Sequence, residues 1–360
     1  MSPASSTTPG CRVPAAELEA FVAALFEAVD VPPADAATAA AGLVDADLGG
    51  VESHGVLRTS IYVERVRKGL VNARPELTAE RDGARVLLDA DNALGQVAGM
   101  RAVDEAVALA DQLGVGVVAV RHSNHFGTAA YYARAIADRE CVGLVFTNVP
   151  PTMAPWGGAE RVLGNNPVCI AAPTRGEPAV IDISLTAVAG GKLLAAAARG
   201  ESIPEGWAMD REGRPTTDPA GAMKDGLLMP LGAHKGAGLA LMVDIVTGVL
   251  TGAGYGPGVF SIYGDSGKPN DAGHLMIALR VDRFLPLEQY LERVEDLLAT
   301  MRGVRTMAGV DRVMVPGEPE AIRRVERATT GIVLPAKVAQ DLRALGDELG
   351  VDFPTYEDVS

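Results

Sequence analysis

Residues Val115 to Gly127 read VGVVAVRHSNHFG. The continuous apolar run Val115–Val120 suits a strand buried on both faces, as in a sheet covered by helices. It ends in a polar loop, Arg121-His122-Ser123-Asn124-His125-Phe126-Gly127, and a helical segment opens at Thr128. Loops at strand ends are where α/β proteins place their sites, so this stretch bears on fold and chemistry together.

Upstream, Val86-Leu87-Leu88 reads as a short strand, Asp89–Asn92 as a turn, and Gln96–Leu113 as an amphipathic helix. Downstream, Thr128–Asp138 is helical, and Val142–Thr147, Val168–Ala172 and Ala179–Ile183 read as strands with few helices between them. Asp210-Arg211-Glu212-Gly213 is a turn, Lys235–Thr251 a long apolar helix, and Leu275–Val281 a strand. Leu287–Met301 carries a broad apolar stripe of Leu287, Tyr290, Leu291, Val294, Leu297 and Leu298. The centre is therefore mixed α+β and not a regular doubly wound sheet. Both flanks are helical, over Ala15–Val29, Ala34–Leu48 and about His54–Lys68, then over Pro319–Leu349 with Pro335 at a helix start. Met1–Pro14 is rich in Ser, Thr and Pro and reads as a flexible leader.

The chain has 360 residues, 48% hydrophobic and 22% charged, which marks a globular protein of roughly two domains. Its net charge of −14 argues against a general affinity for nucleic acid or anionic membrane. No stretch approaches the ~20 apolar residues that span a bilayer. Cys11, Cys141 and Cys169 are odd in number and widely spaced, which fits a reducing, cytoplasmic setting without disulfides or a Cys-rich zinc site.

The familiar nucleotide and nucleophile signatures are missing. There is no strand-linked G-x-G-x-x-G, Gly191-Lys192 is followed by Leu193 where a P-loop needs Ser or Thr, and no G-x-S-x-G occurs. Three features remain. His122 and His125 could hold a metal, cap the following helix, or serve acid–base chemistry. His54, Arg58 and Tyr62 stand at i, i+4 and i+8, one row of a helix and a candidate carboxylate pocket, although a solvated polar face would read the same way. Gly- and Asn-rich loops at Pro150–Gly158 and Leu163–Pro167, with Asp182-Ile183-Ser184, Gly190-Gly191-Lys192 and Gly232–Gly236, would let a bulky ligand approach the backbone.

The ordered set SHGVLR, LLDADNALGQ, SNHFG, PPTMAPWGG, GNNP, DIS…GGK, EGWAMDREGRPTTDP and PLGAHKGAGLALMVD resembles the malate/L-lactate dehydrogenase family outside the Rossmann class. That family also includes ureidoglycolate, sulfolactate and diketogulonate oxidoreductases and cyclic-imine carboxylate reductases. The resemblance runs from about Leu18 to about Gly350. It implies a non-Rossmann NAD(P)-binding domain with a mixed sheet over 76–304, packed on a helical substrate and dimerisation domain built from 15–75 and 305–360. The helix over 235–251 is open to packing with the helical domain.

By the same resemblance His125 matches the catalytic acid/base, and His54 and Arg58 match the substrate-contacting pair, with Tyr62 facing that pocket. Asn148, Asp182, Ile183, Ser184 and Lys235 look like the cofactor-contacting positions, with Lys192 nearby. The implied cofactor is NAD, with NADP as the alternative, and the implied assembly is a homodimer acting on a small carboxylate. No metal is required. Two departures stand out: Gly164-Asn165-Asn166-Pro167 replaces the usual GTNP, and Ala233–Gly238 replaces G-Y-K-G-Y-G, with His234 and Ala237 in place of both tyrosines. The expectation is an NAD(P)-dependent 2-hydroxy acid dehydrogenase, most simply of the malate or lactate type. The close alternative is a piperideine- or pyrroline-2-carboxylate reductase. A His-metal hydrolase and a non-catalytic dinucleotide sensor are readings from other classes.

Overall fold

The computed structural model describes residues 10–264 and 267–359. The chain opens with β1 (Gly10–Val13), α1 (Ala15–Glu27), α2 (Pro33–Leu48) and α3 (Thr59–Arg67). It continues through β2 (Thr78–Asp82), β3 (Arg85–Asp89), α4 (Gly95–Leu113), β4 (Val115–Ser123), α5 (Ala129–Ala137), β5 (Cys141–Thr147), β6 (Val168–Ala172) and β7 (Ala179–Ile183). Next come α6 (Gly190–Arg199), β8 (Ala208–Met209), β9 (Pro215–Thr216), α7 (Pro219–Lys224), β10 (Leu227–Leu228), α8 (His234–Asp244), β11 (Ala272–Arg280) and α9 (Leu287–Arg302). The chain ends in α10 (Glu318–Thr330), β12 (Ile332–Leu334), α11 (Ala336–Leu349) and β13 (Glu357–Val359).

These elements form two compact units, one from residues up to Arg74 together with those from Gly317 onward, the other from Pro75 to Pro316. The first is helical apart from one small sheet of order β12-β1-β13, which joins the two ends of the chain by antiparallel pairing. The leader expected over residues 1–14 lies partly outside the described residues, and from Gly10 it is strand. Cys11 and Val13 point into the unit at 2% and 0% exposure, while Arg12 faces outward. Four residues with one alternation are too short to stand out in a sequence.

The second unit holds a seven-stranded sheet of order β2-β3-β4-β11-β5-β6-β7. Only β3 and β4 run parallel; every other neighbouring pair is antiparallel. The sheet is thus the mixed type expected. Helices α4 and α5 cover one face, burying Ala98, Ala102, Ala106, Tyr132 and Ile136 over Val118, Val120, Val145 and Met276. On the other face Ala240 and Val243 of α8 pack with Met153, Leu163 and Leu185, so α8 belongs to this unit. Cover on both faces explains why β4 and β5 read as continuous apolar runs. A small lobe from α6 to β10 has its own core of Leu193, Ala196, Ile203, Ala208 and Leu228. The segment before Gly317 is tied to the sheet where Val180 N–H donates to Pro316 O (3.0 Å).

Helix α9 forms where its periodicity places it, yet none of its residues is buried, so its apolar stripe is not covered by the described chain. No described helix is long and apolar enough to cross a membrane.

Candidate active site

β4 and β5 each pair antiparallel with β11, β7 lies two antiparallel steps from β5, and β3 runs parallel to β4. The C-terminal ends of β3, β4, β5 and β7 therefore meet along one edge of the sheet. That edge carries Asp89, His122 to His125, Asn148 and Asp182 to Ser184. Ligand sites in open α/β sheets lie outside such strand ends.

The loop after β4 is pinned from beside and below. Asn124 is buried, and its Nδ2 donates to Asn92 O (3.2 Å), Asn92 Oδ1 (2.9 Å) and Ala93 O (2.8 Å). Gly95 opens α4 so close beneath that a Cβ there would lie 2.4 Å from the carbonyl oxygens of Asn124 and His125. His125 is half-buried, with Gly127 N–H directed at its Nδ1 (3.4 Å). His122 turns away from it. With φ of +51°, His122 places Nδ1 3.0 and 3.1 Å from the Asp89 carboxylate, which also accepts from Arg121 Nε at 3.0 Å. Against the upward push of burial, hydrogen bonds from Asp91, His122 and Arg121 hold the Asp89 carboxyl below its usual range. Asp89 and His122 line a cleft of 510 Å³ with Asp91, Asn92, Phe260 and Asp271. Among the described residues no three His, Cys, Asp or Glu side chains come together as a metal set.

Further along the edge, the expected cofactor positions fall into two kinds. Asn148 is buried, and its side chain is occupied by the fold. Nδ2 donates to Asp244 Oδ1 (2.9 Å) and Gly254 O (2.8 Å), and Oδ1 accepts from Gly273 N–H (2.9 Å). Asn166 acts similarly, accepting from Val149 N–H (3.1 Å) and donating to Ala240 O (2.9 Å), which ties the end of β5 to α8. Asp182, Ile183, Lys192 and Lys235 are exposed. Asp182 accepts from Ala130 N–H (2.8 Å) in the first turn of α5, and Ser184 Oγ lies 3.1 Å from Thr186 Oγ1. Leu185 N–H donates to Asn165 O (2.7 Å), and Leu231 N–H to Leu185 O (2.9 Å). The β7 end, the Asn165-Asn166 turn and the start of α8 are thereby gathered together. Lys192 and Lys235 stand in the first turns of α6 and α8, and no side chain caps either helix. His234 faces the exposed Trp156 ring edge-on at 6.4 Å between centroids.

In the first unit the continuous helix expected from His54 is not formed. Glu52–His54 and Val56–Arg58 are two separate 3-10 turns, and α3 begins only at Thr59. The break is at Gly55, with ψ of −155°. Asp47 causes it: its carboxylate accepts from Val56 N–H (2.7 Å), and a Cβ on Gly55 would lie 2.1 Å from its Oδ1. His54, Arg58 and Tyr62 are accordingly not a helical row, yet they remain neighbours. Arg58 Nε donates to Ser53 O (2.7 Å), and Ser53 Oγ lies 2.9 Å from His54 Nδ1. Burial, then the Arg58 charge, push His54 down to about 4, leaving the ring neutral near pH 7. Burial also lowers Arg58, which Tyr62 opposes. Tyr62 is itself buried at 3% exposure.

Asp47 is the residue that pattern reading missed. It stands on the buried side of α2 with Ala36, Ala40 and Leu43, and a carboxylate in that row was the available signal. Asp244 was missed likewise; besides Asn148 it accepts from Gly256 N–H (2.8 Å).

Residues 13–343 match the profile of the malate/L-lactate dehydrogenase family. The chain is 38% identical over 351 residues to malate dehydrogenase of Pyrococcus horikoshii, covering 95% of this chain and 96% of that protein. The solved structure of the Pyrococcus enzyme matches with a TM-score of 0.88 over 96% of this chain and 97% of that one, at 35% identity. A (2R)-3-sulfolactate dehydrogenase (NADP(+)) of Chromohalobacter salexigens is 40% identical over 329 residues, 91% of this chain and 96% of that protein. The structure of a delta1-piperideine-2-carboxylate reductase from Pseudomonas syringae matches with a TM-score of 0.84 at 28% identity, covering 93% and 99% of the two chains. With a profile matched across both units and identity sustained over nearly the whole length, the chain belongs to the malate/L-lactate dehydrogenase family.

Proposed function

We propose that the protein is an NAD(P)-dependent dehydrogenase of small 2-hydroxy acids, of the malate or lactate type, with NAD as its cofactor. The observation that carries the reading is the sheet edge in the second unit. A half-buried histidine in a pinned loop and an exposed strand end lie on it, and two lysines stand in the uncapped first turns of α6 and α8, which follow β7 in the chain. The donor set fits a dinucleotide. Uncapped helix starts with lysines suit a pyrophosphate, and exposed Asp182 with half-buried Ser184 offers polar groups for the remaining hydroxyls and amides.

A nicotinamide, when bound, supplies or accepts the hydride. His125 takes the hydroxyl proton in oxidation and returns it to the carbonyl oxygen in reduction. Arg58 holds the substrate carboxylate through its planar fork, and neutral His54 offers a hydrogen bond without adding charge. Tyr62, being buried, supports Arg58. Asn148 acts through the fold, holding the β5 end in place. Three buried, unpaired cysteines are in keeping with a cytoplasmic protein. A homodimer is favoured by α8 and the π-helical turn Ile245–Val249 that follows it, along which Leu239, Leu241, Met242, Ile245, Val249 and the next residue, Leu250, are all exposed. A helix apolar all round calls for cover on every side.

The test is a panel of keto acids and cyclic imine carboxylates with NADH and NADPH, run on wild type and His125→Ala. Turnover of a keto acid is expected, with kcat falling by about 10²- to 10⁴-fold in the variant and NADH binding retained. Wild-type kcat in the variant would remove His125 from the reaction. The similarity to the piperideine-2-carboxylate reductase structure favours a second reading, reduction of a cyclic imine carboxylate, which would need the same proton donor and carboxylate grip. Turnover of imines alone would select it.

A further inference from the structure

His274 is fully buried in β11, the strand between β4 and β5. The strand is otherwise apolar on that side, with Met276 and Ala278 in the core, so an imidazole there costs stability unless its nitrogens are bonded. Both are. Nδ1 lies 2.7 Å from Thr147 Oγ1, at the end of β5, and Nε2 lies 2.8 Å from Ser123 Oγ, at the end of β4. Thr147 Oγ1 also lies 3.1 Å from the carbonyl oxygens of Asn148 and Gly273, which can only accept. With the Thr147 hydroxyl turned to one of these carbonyls it accepts from His274 Nδ1–H, and Nε2 then accepts from the Ser123 hydroxyl at 2.8 Å, closer than that hydroxyl's other acceptor, Asn124 O, at 3.5 Å. Burial pushes His274 down to about 3, so the ring keeps this neutral form through the working pH range.

The face of the ring does a second job. It lies flat against Phe126, with centroids 4.4 Å apart and planes within 5°. The other face of Phe126 stacks on Tyr132 at 4.6 Å and 21°, and the Tyr132 hydroxyl donates to Phe126 O. Phe126 is thus clamped between two rings, immediately after His125. Ser123, two residues before His125, is held by the same imidazole.

We propose that His274 is a positioning residue for His125, fixing the 123–126 loop through the Ser123 hydroxyl on one side and the Phe126 ring on the other. The inference rests on the reading of His125 as the acid/base. His274 touches neither substrate nor cofactor; it sets where the His125 ring stands. A purely apolar side chain could fill the space and stack on Phe126, but it would release Ser123.

The test is His274→Phe, which keeps a ring against Phe126 and removes both hydroxyl bonds, with Ser123→Ala as a second variant that leaves the imidazole in place. Each is compared with wild type and with His125→Ala, using the keto acid turned over by wild type. For His274→Phe, kcat is expected to fall about 10- to 100-fold, with the NADH dissociation constant and the substrate KM nearly unchanged. Ser123→Ala should fall in the same direction by a smaller factor. In the His125→Ala background, His274→Phe should lower kcat no further, because its effect passes through His125. A role confined to general stability would lower kcat by the same factor in both backgrounds, and that outcome overturns the proposal. So does a folded His274→Phe enzyme with wild-type kcat. Should His274→Phe not fold, an unchanged kcat in Ser123→Ala overturns it instead. Wild-type kcat in His125→Ala alone would show that the underlying reading had failed, a result separable from failure of the positioning role.

Discussion

Asp47 lies beneath the turn that carries His54 and Arg58, and burial pushes its carboxyl up to about 7, reinforced by Glu52 and opposed by the Val56 N–H and Arg327. The folded state therefore holds a proton on Asp47 that the unfolded chain releases at its ordinary value near 4. The stability tied to that proton is full below about 4 and is lost as pH rises through about 7. His54 works in the other sense. Pushed down to about 4, it contributes stability above its ordinary value of 6.5 that is lost as pH falls toward 4. The two oppose each other within one unit across the weakly acidic range. Asp47→Asn keeps an oxygen to accept from Val56 N–H and removes the titration. Urea unfolding between pH 5 and 8 should show wild type losing stability relative to the variant as pH rises; a constant difference would mean that the folded-state Asp47 carboxyl is already ionised throughout this range and its value is not raised.

At the scale of elements, the start of α4 and the loop after β4 meet backbone to backbone at Gly95. Gly95→Ala must push them apart, since a Cβ there lies 2.4 Å from two carbonyl oxygens. The expected cost is about 1–3 kcal/mol, typical of overpacking, together with a fall in kcat as His125 moves. Gly238→Ala, inside α8 with no atom within 4 Å of the new methyl, is the contrasting case and should gain about 0.5–1 kcal/mol. Thermal melts compare the two, and equal shifts would contradict the close contact at Gly95. Which elements could be read from the chain follows from their length and burial. Strands β6 and β7 stand where their apolar runs place them, and α4, α5 and α9 follow helical periodicity. Strand β2 escaped because its burial pattern is almost wholly exposed and it carries Glu80, Arg81 and Asp82. Strands β1, β12 and β13 are three or four residues long, and β1 pairs with partners more than 300 positions away. The row of His54, Arg58 and Tyr62 was misread as one helix because the break depends on Asp47, a residue of the preceding helix.

At the scale of the whole molecule, the exposed apolar face of α8 predicts self-association. Leu250, just past the π-helical turn Ile245–Val249 that follows α8, is 66% exposed. Sedimentation should find a dimer in wild type and a shift toward monomer in Leu250→Glu, with unchanged far-UV circular dichroism; a monomeric wild type would overturn the prediction. The net charge of −14 makes the positions of the few lysines informative, and Lys192 and Lys235 both stand in helix first turns. Much of this protein could be read from residue order. The mixed α/β class follows from hydrophobic periodicity, which is local, and the family follows from collinear motifs, which need no coordinates. Three-dimensional packing decided the rest. It spent the Asn148 side chain on Asp244 and Gly273, turned His122 onto Asp89, broke the helix at Gly55 and set His274 beneath Phe126. Each of these depends on partners brought together from distant segments, and a hydrogen bond or ring stack between such segments leaves no periodicity along the chain.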